Sequence, residues 1–77
     1  MLNMFYMPIK GTEYTVLRML PVDYTAFIDS YGSLAIYAGY HNDLSAVDTP
    51  VFKTDALTYK TALRFTYDYF TQVDLAK

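Results

Sequence analysis

His41, Asn42 and Asp43 form the one cluster in this 77-residue chain whose types and spacing suit chemistry. A histidine changes charge near neutral pH, and a neighbouring carboxylate can orient it as a general base or join it at a metal. Asp48 stands a few residues further on. The competing reading is a polar turn, in which Asn and Asp hydrogen-bond their own backbone. That reading fits the rest of the composition. With one histidine and no cysteine, the chain cannot assemble a zinc set of the usual kind or offer a thiol nucleophile. It has no glycine-rich phosphate loop, and Ser30, Ser33 and Ser45 lack a nucleophile-elbow context. Asp68 and Asp74 read as solvated carboxylates, and Asp68 can pair with Arg64 one turn earlier. The sequence therefore points away from an enzyme and implies no cofactor and no metal. Tyr37, Tyr40, His41, Asn42 and Asp43 become the candidate partner-binding residues instead.

Composition narrows the partner. Six Lys and Arg face eight Asp and Glu, for a net charge of -2, and the charges are scattered. A duplex-binding surface needs clustered cations, so nucleic acid is not the expected partner. No apolar run reaches the roughly 18 residues of a membrane span. The first cation of the opening segment is Lys10, unlike the basic start of a signal peptide. The absence of cysteine fits a reducing compartment, and the cytoplasm is the expected location. A single domain over 1–77 is implied, and so small a chain buries only about 60% of its unfolded surface. At 53% hydrophobic and 18% charged, it favours stabilisation by a partner, with a homodimer expected.

The elements that must position these residues follow from periodicity. Residues 3–9, nearly continuous in apolar side chains, suit a strand buried on both faces, while Pro8 argues for a sheet edge. Gly11 supplies a turn, and residues 13–20 read as the second strand of a hairpin. Tyr24, Phe27, Ile28 and Tyr31 recur at helical spacing after Asp23 as N-cap, with Val22 and Phe27 as a staple and Gly32 as a stop. A short helix over 24–31 is expected, with a hairpin turning at Asp29–Gly32 as the alternative. Leu34, Ile36, Ala38 and Tyr40 then alternate along a strand over 33–40, which sets Tyr37 and Tyr40 on opposite faces. Residues 41–54 are rich in turn formers. From 55 to 75 a helical period sorts Lys60, Thr61, Arg64, Asp68, Thr71 and Gln72 into one polar arc, with Thr54 or Asp55 as the cap. The apolar arc is wide enough that Phe65 and Tyr69 are expected to mediate self-association.

Leu20, Pro21, Asp23, Tyr24, Phe27, Ile28, Tyr31 and Gly32 match a pattern that resembles the Leu-Pro-x-acidic-Tyr-x-x-Phe-Leu-x-x-Tyr-Gly helix of the SUKH immunity superfamily. Ile36, Tyr37 and Gly39 look similar to the strand that follows it there. The resemblance covers residues 20–40 and implies a non-enzymatic α+β protein that neutralises a toxin or other target by binding it. Family members are longer and enter the motif through a helix, whereas here a strand precedes it. The expected fold is α+β: a small antiparallel sheet of about three strands with a short helix and a long C-terminal helix. The expected function is a protein-binding module, an inhibitor or regulator of immunity or phage and mobile-element accessory type. The alternatives are a small-molecule or metal-sensing domain using the 41–48 loop, or a structural subunit of a larger assembly.

Overall fold

Five strands and one helix emerge from these residues in the computed structural model, which describes residues 3–41, 49–56 and 58–76. The strands are β1 (Asn3–Pro8), β2 (Thr15–Leu20), β3 (Tyr24–Ile28), β4 (Ser33–Ala38) and β5 (Phe52–Asp55), followed by α1 (Tyr59–Leu75). They form one antiparallel sheet in the order β1-β2-β3-β4-β5. The class is α+β, with five strands rather than about three.

The first turn forms where Gly11 stands. Gly11 takes φ +81°, Thr12 donates its amide to Ile9 O, and the Ile9 amide closes the hairpin on Tyr14 O. Between β2 and β3 the Leu20–Pro21 peptide is cis, and the Val22 amide donates to Met19 O.

Residues 24–31 are not a helix. Tyr24–Ile28 is the central strand, and Asp29–Gly32 is the turn into β4, as in the hairpin alternative. Asp29 explains why: its Oδ1 accepts from the Tyr31 and Ser33 amides, both at 2.9 Å. Gly32 then adopts φ +88° and donates its amide to Asp29 O. The residue read as a helix stop does have positive φ, but it closes a strand turn.

Alternation sorts the sheet into two faces. Leu17, Met19, Ala26, Ile28, Leu34 and Ile36 point to one face, where α1 packs across β3 and β4. Ala62, Thr66 and Phe70 are the buried line of the helix, and Tyr24, Tyr59, Leu63, Tyr69 and Val73 flank the core. Thr66 is tolerated there because its hydroxyl donates to Ala62 O.

The helix starts at Tyr59 rather than 55, because residues 52–55 are taken by β5. Its cap is Thr58, whose Oγ1 accepts from the Thr61 amide, and not Thr54 or Asp55. The expected polar arc is otherwise seen: Lys60, Arg64, Asp68 and Gln72 are exposed.

The second correction concerns β1. Its residues suit a strand buried on both faces, yet every one of them is exposed. Pro8 gave the better indication, since β1 is an edge strand. The helix lies over β3 and β4, so no described element covers β1 on either face.

Candidate functional site

The face of the sheet turned away from α1 carries the candidate site. Alternation brings Phe5 and Met7 of β1, Val16 and Arg18 of β2, Thr25 and Phe27 of β3, Ala35 and Tyr37 of β4, and Lys53 of β5 to this side. Among the described residues no element packs over it. Phe27 is nonetheless 1% exposed, because its neighbours on the same face enclose it. Tyr37 meets it edge-on with ring centroids 5.5 Å apart. Tyr14, Ser33, Ala35 and Lys53 complete a concavity around the pair. A second, more apolar concavity lies beside it, lined by Phe5, Met7, Val16 and Arg18.

One buried threonine organises the end of β4 next to this surface. Thr25 is fully buried; its hydroxyl donates to Gly39 O at 2.6 Å and accepts from the His41 amide at 3.0 Å. Gly39 takes φ +84°, which turns the chain out of the strand before Tyr40. Alternation therefore stops, and Tyr40 is not placed on the face opposite Tyr37. It meets Arg18 of the open face, whose guanidinium lies 5.2 Å from the ring centroid, within cation–π range. His41 is held by a 2.8 Å contact from Nε2 to Ala38 O, and its ring sits 6.3 Å from Tyr37 in an edge arrangement. Tyr37, Tyr40 and His41 thus lie side by side at one end of the face. Asn42, Asp43 and Asp48 lie outside the described residues. Among those described, no group of three or more His, Cys, Asp or Glu is gathered that could hold a metal ion.

The Thr25 bridge yields a first prediction. Thr25→Val keeps the shape but leaves the His41 amide and one acceptor position of Gly39 O without their partner. Such losses cost about 1–3 kcal/mol when the groups cannot reach water. We expect a destabilisation of about 1–2 kcal/mol in urea unfolding, since both backbone groups lie near the surface. A change below about 0.5 kcal/mol, typical of an ordinary surface position, would show that Thr25 does not hold the 38–41 segment.

The two residues expected to drive self-association separate in the structure. Phe65 is 45% exposed on α1. Tyr69 is engaged within the chain, 5.2 Å from Phe52 and 6.3 Å from Tyr24 between ring centroids. The alternation in β4 marked Tyr37 and Tyr40 for attention, whereas Arg18 and Phe27 were missed. Arg18 was recognisable as the lone cation between apolar neighbours in Val-Leu-Arg-Met-Leu. Phe27 was hidden by its assignment to a helix face.

No helix among the described residues is long and apolar enough to cross a membrane. No family model, curated protein or solved structure matches the chain.

Proposed function

We propose that this chain is a non-enzymatic protein-binding module, an inhibitor or regulator that engages another protein through the open face of its sheet. One observation carries the reading: Tyr14, Phe27, Tyr37 and Lys53 line a concavity on a sheet face that no described element covers, with His41 against Tyr37 and the Arg18–Tyr40 pair on the same side. Tyr, Phe, Met and Arg are the side chains enriched in protein interfaces, where a large apolar body with a polar tip gives both area and orientation. The cations of this face, Arg18 and Lys53, favour a partner that presents carboxylates beside an apolar anchor. Asp55 sits at the Ser33 end of the same face and limits how far a polyanion would be attracted. The immunity-type target implied by residues 20–40 belongs to the proposal only as a candidate class. The helix that the resemblance implies is a hairpin here, so the surface carries the reading.

The test compares wild type with a Tyr37→Ala, Lys53→Glu variant immobilised at equal density. We expect a protein target captured by wild type, identified and purified, to bind the variant at least ten-fold more weakly while the variant's melting curve stays cooperative. An identified target that binds both chains equally would overturn the assignment to this face. Micromolar binding of a single-stranded oligonucleotide or of a divalent metal, lost in the variant, would move the function to a different class.

A further inference from the structure

We infer that two copies of this chain pair along β1, edge to edge and antiparallel, to make one continuous ten-stranded sheet. The inference rests on the edge of the sheet and is independent of the target-binding reading. The two edges of the sheet are built differently. β5 is four residues long and carries Lys53 and Asp55, the short length and charge with which sheets discourage edge pairing. β1 is six residues long, Asn-Met-Phe-Tyr-Met-Pro, with no charge. Met4, Phe5, Tyr6 and Met7 are 39%, 51%, 64% and 51% exposed. An uncharged apolar edge offers nothing for a charged partner to complement. It does suit an identical strand.

The hydrogen-bonding parity of β1 fixes how that strand can dock. The Ile9 amide donates to Tyr14 O, toward β2. Residues alternate in a strand, so Asn3, Phe5 and Met7 address β2, while Met4, Tyr6 and Pro8 turn their backbone groups outward. A two-fold axis perpendicular to the sheet must pair residues of the same face. Centred on Phe5, it sets Met4 opposite Tyr6 of the second copy and Tyr6 opposite Met4. Each pair exchanges two backbone bonds, about four in all. Centred on Tyr6 instead, it sets the Met4 carbonyl against Pro8, which has no N–H to donate. The Phe5-centred register is therefore favoured. Phe5 then faces Phe5 of the second copy on the open face, and Met4 packs beside Tyr6 on the other.

The size is consistent with a reversible dimer. The four side chains expose on the order of 400 Å² per copy, so two copies bury at most about 800–900 Å² through them. Pairing of the backbone edges brings this near the roughly 1,000 Å² at which specific interfaces begin. Micromolar association is expected.

Light scattering during gel filtration should show the mass rising from 8.9 kDa toward twice that across the micromolar range. Phe5→Lys should hold the chain at monomer mass, because each new charge would meet itself across the axis, and Phe65→Glu should leave the dimer intact. Since the chain has no cysteine, a single one reports the register. Facing residues of a non-hydrogen-bonded pair lie about 4.5 Å apart between Cα atoms, within disulfide reach. Under mild oxidation Phe5→Cys should form a covalent dimer at least ten-fold faster than Met7→Cys, whose partner is Asn3. A wild-type monomer at high micromolar concentration would overturn the inference. So would dimers lost in Phe65→Glu and kept in Phe5→Lys, or equal crosslinking of the two cysteine variants.

Discussion

A Gly32→Ala chain is expected to lose a large share of its stability at 25 °C, while Gly11→Ala loses far less. Both glycines have positive φ, at +88° and +81°, so both substitutions carry the conformational cost of placing a Cβ in that region. Around Gly11 a Cβ would meet nothing within 4 Å. At Gly32 it would lie 2.7 Å from Ala56 O and 2.8 Å from Thr58 O, both backbone atoms. These cannot rotate away as a side chain would. Gly32 O also accepts from the Ala56 amide at 2.9 Å, so the tip of the β3–β4 hairpin is fastened to the segment that joins β5 to α1. Relieving the clash means moving the start of the helix. We expect about 1–2 kcal/mol for Gly11→Ala and about 3–5 kcal/mol for Gly32→Ala. A domain of this size has a total stability on the order of 4–11 kcal/mol, so the second loss is a large share of the whole. Urea unfolding of the two variants beside wild type measures the difference. Equal costs would mean that the close approach of Gly32 to Ala56 and Thr58 is not a feature of the folded chain.

The same glycine shows what was legible in the sequence and what was not. Positive φ at Gly32 was foreseen, and so was a boundary there; the element preceding it was not. Tyr24, Phe27, Ile28 and Tyr31 fall at helical spacing by coincidence of a strand that is buried on both sides. Thr25, Ala26, Phe27 and Ile28 are all buried, so the period-two signal that identifies a half-exposed strand is absent. Tyr24 and Ile28 face the helix, Phe27 faces the opposite side, and Tyr31 is 72% exposed in the turn. Val22 belongs to the core cluster beneath the helix, whereas Phe27 points to the opposite face of the sheet, so the two do not form a helix staple. The turn chemistry of Asp29 and Gly32 was the competing signal, and it prevailed because Asp29 Oδ1 satisfies two amides at once.

The strands flanking this one were legible to different degrees. In β4 Leu34 and Ile36 are buried while Ser33, Ala35 and Tyr37 are partly exposed, and that alternation was visible. In β1 the apolar run marks a strand but not its surroundings; continuous hydrophobicity is equally suited to a buried strand and to an edge awaiting one. Pro8 discriminated between the two. β5 escaped notice because four residues after Pro50 are too short for any period to show. Its omission also moved the expected helix start four residues too early. For the candidate site, Tyr37, Tyr40 and His41 were legible as neighbours at a strand end. Their common side was not, since it depends on Gly39 breaking the alternation and on Arg18 arriving from β2.

Phe70→Ala is the second substitution expected to cost most, and it tests which way α1 is turned. The apolar arc of this helix is wide, so sequence alone leaves its inward line undecided between Phe70 and Phe65. The structure places Phe70 at 0% exposure, one turn beyond Thr66 and two beyond Ala62. Its ring also meets Tyr69, with centroids 6.2 Å apart, which ties it to the Tyr24 and Phe52 cluster. Removing a fully enclosed phenylalanine loses its transfer free energy and leaves a cavity, together about 3–5 kcal/mol. Phe65, 45% exposed, should cost about 1 kcal/mol or less on truncation to Ala when unfolding is followed at a concentration too low for self-association. The pair of midpoints in urea, at unchanged slope, gives the comparison. Phe65→Ala as damaging as Phe70→Ala would mean that the helix is rotated from the orientation described toward Phe65, which lies about 140° around its axis from Phe70. The Ala62–Thr66–Phe70 line would then not be what seals the sheet.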